Sequence, residues 1–230
     1  TQGFRGAVRS ARLSREAVDA FASIAKSAGA SSFVAALTAF AVLLSRLSGD
    51  EDIVVGTPVG GRPGPEYAEV VGFFANTLAI RLDLAGSPSF VEALRRAAAA
   101  VREDLEHQAL PFDTLVDSLA VARDPSRNPL FQVAFARRRQ RARDLEFPGT
   151  AVQRVETDGG RSRFDLTMTL ADDADGAEIR IEYCTALFAP ETIERMAGQY
   201  ATLVASIVRS PDAPIGSLAL MDDATRERVV

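Results

Sequence analysis

The chain has 230 residues, 47% of them apolar and 25% charged, with 31 acidic against 26 basic side chains and a single histidine. That length supports a full globular core, as one large unit or two small ones. A net charge of −5 argues against a general nucleic-acid binder, which is ordinarily basic. Cys184 is the only cysteine, so an intrachain disulfide is excluded, and Cys/His zinc ligation is excluded by count. Residues 1–5 lack the apolar core of a signal peptide, and no apolar run reaches membrane-spanning length. A cytoplasmic protein with no membrane, nucleic-acid or metal partner is the expectation.

In chain order, Ser14 caps a helix with apolar positions Val18, Phe21, Ile24, Ala25 and Ala28, stopped by Gly29. A second helix starts at Ser31 or Ser32. Its stripe is Phe33, Leu37, Phe40, Leu44 and Leu47, and Gly49 ends it. Ile53-Val54-Val55 reads as a short buried strand. Residues 57–65, with three prolines and three glycines, read as a constrained loop rather than regular structure. Leu78, Ile80 and Leu82 alternate with polar or small residues, the period of a half-exposed strand. Ser87-Pro88 predicts the cap and first turn of a long helix through Phe90, Leu94, Ala98, Val101 and Leu105. Pro111 opens a shorter helix. Strands follow over Leu130–Ala136, around Phe164–Leu170, and at Ile179–Tyr183, with Asp172–Gly176 as the turn between the last two. A final helix runs from Pro190 to a stop at Pro211. The arginine-rich run 137–143 fits either a solvated strand end or a surface for an acidic partner. The fold class expected is α/β: helices on a mixed sheet in a two-layer sandwich.

Three phrases carry most of the functional information. They are Val71-Gly72-Phe73-Phe74-Ala75-Asn76-Thr77, then His107-Gln108-Ala109-Leu110-Pro111-Phe112-Asp113, then Arg123-Asp124-Pro125-Ser126-Arg127-Asn128-Pro129-Leu130. In this order and spacing they resemble three late motifs of the condensation domains of nonribosomal peptide synthetases. A Thr57-Pro58…Gly61-Arg62 segment ahead and a Tyr183…Leu187-Phe188 segment behind add to the likeness. The resemblance implies one lobe of a chloramphenicol acetyltransferase-like pseudo-dimer, the C-terminal one, over residues 1–210. It implies that residues 211–230 begin a linker toward an adenylation domain.

The same resemblance implies transfer of an aminoacyl or peptidyl group between thioesters held on the phosphopantetheine arms of donor and acceptor carrier proteins, forming an amide bond. No cofactor bound directly by this chain is implied. The family also has an early His-His-x-x-x-Asp-Gly motif, on the other lobe. A chain with one histidine does not contain it, so no catalytic residue is expected here, and the lobe alone is expected to be inactive. The N-terminal lobe, both carrier proteins and the adenylation domain are the implied partners. The alternative is a non-catalytic condensation-like module that recruits a tailoring enzyme or holds neighbouring domains together.

Gly72, Phe73, Phe74, Asn76 and Asn128 are candidates to line the substrate tunnel. For the two phenylalanines a strand entry with one ring buried and one exposed explains the pattern equally well. Arg62, His107, Arg123, Asp124 and Arg127 are expected to be structural, His107 as a helix C-terminal cap and Arg123 with Asp124 as an ion pair. A Ser-His-Asp or Cys-His triad fails on inventory, because it would need His107 as its base and no Gly-x-Ser-x-Gly turn is present; a phosphate loop fails separately, because Gly60-Gly61 lacks the Lys-Ser/Thr that would follow. The resemblance further implies that part of the strand region 147–183, its Phe164–Leu170 strand included, crosses to the missing lobe.

Overall fold

The computed structural model describes residues 3–62, 64–120, 124, 126–139, 149–150 and 159–221. Its elements are β1 (Gly6–Ser14), α1 (Arg15–Ser27), α2 (Ser32–Ser48), β2 (Asp52–Val59), β3 (Asn76–Asp83), α3 (Phe90–Glu106), α4 (Phe112–Ser118), β4 (Val133–Arg139), β5 (Leu166–Asp173), β6 (Gly176–Cys184) and α5 (Pro190–Arg209). The six strands form one sheet in the order β1-β6-β5-β4-β2-β3. β4 runs parallel to both its neighbours, and every other pair is antiparallel.

Alternation along the strands divides the sheet into two unlike faces. Ile53, Val55, Leu78, Ile80, Phe135, Met168, Ile179 and Ile181 point into a core closed by α1, α2, α3 and α5. α2 lies at the middle of that layer, so it is buried over ten consecutive residues from Val34 to Leu43. Phe135 packs its ring against Phe33 and Phe40 of α2, with centroids 5.7 and 5.8 Å away. The alternate positions, among them Ser10, Arg12, Thr77, Arg81, Thr167, Thr169, Arg180 and Glu182, form a polar open face. This is the two-layer α/β sandwich expected.

Helix ends follow local chemistry. Ser14, Ser31 and Ser89 each accept a backbone N–H of the first turn, and Gly49 closes α2 at φ 85°. The cap of α3 is therefore Ser89, two residues later than Ser87-Pro88 suggested. Ser87 itself sits at φ 51°, and the Pro88 carbonyl is taken by the Ile215 N–H.

Several other expectations are corrected. β1 was not anticipated, because of its core-facing residues Ala7, Arg9, Ala11 and Leu13 only the last carries a strong hydrophobic signal on this edge strand. Regular structure continues through Thr57-Pro58-Val59, paired with Asn76–Leu78. Pro58 is tolerated because it lies beyond the Gly56–Ala134 bridge to β4, so its missing N–H breaks no ladder there. The Thr57 hydroxyl crosses that seam instead, donating to the Phe135 carbonyl at 2.9 Å. β4 begins at Val133 rather than Leu130, since a tight turn from Pro129 to Phe131 holds Leu130 at φ 66°. β5 does not leave the lobe: it is interior to the sheet, paired with β4 on one side and β6 on the other.

Residues 211–221 pack onto this body. Ile215 and Leu218 are buried, and Arg46 donates to the carbonyls of both. Ser206 accepts the Ala219 N–H. Of the arginine run, Arg137 forms a paired hydrogen bond with Asp172 across β4 and β5. Residues 140–143 and Phe147-Pro148 lie outside the described residues. No single helix among the described residues is long and apolar enough to cross a membrane.

Candidate functional site

The three phrases, far apart in the chain, meet beside the sheet. Asn76 opens β3 and ties the first phrase to the second. Its amide donates to the carbonyls of Gln108 at 2.9 Å and Leu110 at 2.7 Å, and its carbonyl oxygen accepts the Phe112 N–H at 3.2 Å. Pro111 starts α4 without a side-chain cap, so Asn76 satisfies one of that helix's orphan donors from another element. The second phrase then meets Phe131, the residue that directly follows the third. The Phe112 ring stands 5.4 Å from that of Phe131, which stands 5.3 Å from that of Phe164.

Phe131 is buried flat over β2. A β-carbon at Gly56 would collide with its ring, so glycine is what lets the third phrase lie directly on the sheet. Below it, the Asn128 side-chain amide donates to the Arg163 carbonyl at 3.3 Å, and the Asn128 backbone carbonyl accepts from the Gln132 side chain at 2.9 Å. Asp124 accepts from the Ser126 N–H and hydroxyl, and it pairs with Arg127 at 3.3 Å. The Ser126 hydrogen bonds, backed by Arg127, hold its carboxyl below the ordinary aspartate range. Arg123 lies outside the described residues.

The first phrase presents a projecting loop. Arg62 donates to the carbonyls of Tyr67 and Val70 and sits 4.5 Å over the Phe74 ring. Tyr67 closes on the same ring. Gly61, at φ 57°, lies against the Phe74 carbonyl, where a side chain has no room. Phe74 is thus pinned, whereas Phe73 and Val71 are 91% and 99% exposed. The geometry is that of one packed and one projecting phenylalanine, with Gly72 exposed between the two outward side chains.

The chemistry of this cluster is polar, aromatic and cationic, with little to move a proton. His107 caps the end of α3 on the surface, its backbone N–H on the Asp104 and Leu105 carbonyls. Asp165 is a member of the site that sequence reasoning missed. Burial raises its carboxyl, and Arg127 opposes that shift. Its backbone N–H donates to Gln132 and its carbonyl accepts from Cys184. The one available signal was its place directly after Phe164, at the start of a strongly alternating strand. No group of His, Cys, Asp and Glu able to hold a metal occurs among the described residues.

Known proteins share this sequence and fold. The condensation-domain family model matches residues 1–230. A linear gramicidin synthase of Brevibacillus parabrevis is 39% identical over 231 residues, covering 100% of this chain and 3% of that protein. Phosphinothricin tripeptide synthetase PhsB of Streptomyces viridochromogenes is 39% identical over 210 residues, covering 90% of this chain and 18% of that protein. The chain therefore spans a small part of the curated relatives it matches. Among solved structures, a four-domain nonribosomal peptide synthetase, holo-AB3403, has a TM-score of 0.89 at 24% identity, covering 98% of this chain and 18% of that one. The X-domain from teicoplanin biosynthesis, in its complex with OxyB, has a TM-score of 0.85 at 27% identity, covering 95% of this chain and 49% of that one. Family match, relatives and fold agree: this chain belongs to the condensation-domain family.

Proposed function

We propose that the chain is the C-terminal lobe of a condensation domain and forms one wall of a tunnel in which two carrier-tethered thioesters meet. The observation that carries this reading is the convergence of the three phrases on one side of the sheet, around Asn76, Phe112, Phe131 and Asn128, with His107 set at the exposed end of α3. In the reaction the acceptor amine attacks the donor thioester carbonyl. The C–N bond forms, the C–S bond breaks, and the thiol of the donor arm leaves. The amine proton needs an acceptor near its path. In this reading an upstream lobe bearing an intact His-His-x-x-x-Asp-Gly motif supplies it. This lobe binds and aligns, and the phosphopantetheine arms belong to the carriers. Exposed Phe73 and Val71 suit a loop that is covered when the upstream lobe is in place.

The test is reconstitution. Co-expressed with an upstream lobe carrying the intact motif, the chain is expected to give dipeptidyl thioester from loaded donor and acceptor carriers. Phe73→Ala is expected to lower turnover while leaving the melting temperature of this lobe unchanged. Full turnover with Phe73→Ala would remove that loop from the tunnel.

A second reading, a condensation-like module that recruits a tailoring enzyme, draws support from the 27% likeness to the X-domain that forms a complex with OxyB. The upstream residues separate the two: an intact histidine motif there supports catalysis, and a degraded one supports recruitment.

A further inference from the structure

On the helix side of the sheet, across from the Phe112–Phe131–Phe164 cluster, the two layers part at one end. A cleft of about 520 Å³ opens between the start of α2, the second half of α3, and strands β2 and β3. That volume lies within the range of about 300–1,000 Å³ typical of small-molecule sites. Phe33, Val34, Val59, Leu78, Ile80 and Val101 supply its apolar walls, and the small side chains of Ala30 and Ala98 leave the room. Leu105, partly exposed, also lines it. Arg102, an exposed side chain, is the one charged residue on its lining.

We propose that this cleft binds a medium-length fatty carboxylate, with its alkyl chain between α3 and β3 and its carboxylate on Arg102. The lining is mostly apolar, with Ser31 and Thr57 its uncharged polar members, and the exposed Arg102 at its edge favours a ligand that is anionic at one end and apolar along its length. The proposal is independent of the condensation reading, since it needs neither carrier protein nor upstream lobe.

Isothermal titration of the purified 230-residue chain with hexanoate, octanoate, decanoate and dodecanoate, each kept below its micelle concentration, tests it. One site per chain is expected, with affinity rising about fourfold per added methylene until the slot is filled. Dodecanol is expected to bind about tenfold more weakly than dodecanoate, the loss that one charge-assisted contact represents. Arg102→Gln is expected to abolish that difference. Ala98→Phe is expected to remove binding by filling the slot. Leu105→Glu, at a more exposed position, is expected to weaken dodecanoate selectively by placing a carboxylate beside Arg102, and it keeps the test sound if Ala98→Phe does not fold. No saturable binding, affinity independent of chain length, or unchanged binding in Leu105→Glu and a folded Ala98→Phe would overturn the proposal.

Discussion

Replacing Asn76 with alanine removes three hydrogen bonds at once, and its cost can be worked from their geometry. Two are short and donated to the loop between α3 and α4, at 2.9 and 2.7 Å. The third, at 3.2 Å, is accepted from the first residue of α4. A typical intramolecular hydrogen bond contributes about 0.5–1.5 kcal/mol net. Asn76 is half-buried, so water reaches part of what alanine leaves unpaired, and the three together are worth about 1.5–3 kcal/mol. For a chain of this length each kcal/mol moves the midpoint by about 2–4 °C, which gives an expected fall of about 3–12 °C. Thermal unfolding followed by circular dichroism reads it directly. Asn76→Asp is the sharper variant: it keeps the acceptor for Phe112, loses both donors, and aims a carboxylate at two carbonyl oxygens. It is expected to be no more stable than Asn76→Ala. A shift below about 1 °C for Asn76→Ala, or recovery of stability in Asn76→Asp, would refute the clamp.

Gly56→Ala is expected to cost about 1–3 kcal/mol through overpacking against Phe131. In a double-mutant cycle measured by urea unfolding, adding Phe131→Ala should recover part of that loss, and additive costs would contradict the contact. Burial, with a smaller contribution from Glu103, raises the Asp104 carboxyl above the ordinary value of 3.8, while His107 opposes the rise. The fold therefore disfavours the charged form. The penalty is present above the folded pKa and disappears as pH falls below the unfolded one. Asp104→Asn is accordingly expected to raise the melting temperature at pH 7, with the gain shrinking as pH falls toward 4. A pH-independent difference would contradict that assignment.

The helices were legible where a serine cap, an apolar stripe and a stop coincide, as in α1 and α2. β3, β5 and β6 were legible from alternation alone. What escaped depended on partners distant in the chain. β1 is a strand because β6 pairs with it along its whole length, and its own residues announce little. Pro58 reads as a breaker locally, yet it is held in register by β3. The turn at Asp172–Gly176 announced that β6 pairs with β5, but the crossover implied by the family resemblance did not allow for β4 on its other edge. The candidate site divides along the same line. The spacing of the three phrases identified its members, and a strand entry with one ring buried and one exposed was one of the two readings that alternation allowed for Phe73 and Phe74. That Asn76 bonds a loop 32–36 positions away, and that Asp165 joins the cluster, depends on how strands and loops meet in space.

The central claim is that this chain aligns substrates and holds no base of its own for amide formation. The most direct measurement mixes the purified chain alone with a loaded donor carrier and a loaded acceptor carrier, and follows dipeptidyl thioester by mass spectrometry. No product above the uncatalysed background is expected, with product appearing once a separately expressed upstream lobe bearing His-His-x-x-x-Asp-Gly is added. Turnover by the chain alone, well above background, would contradict the account, most directly if it were lost in His107→Ala.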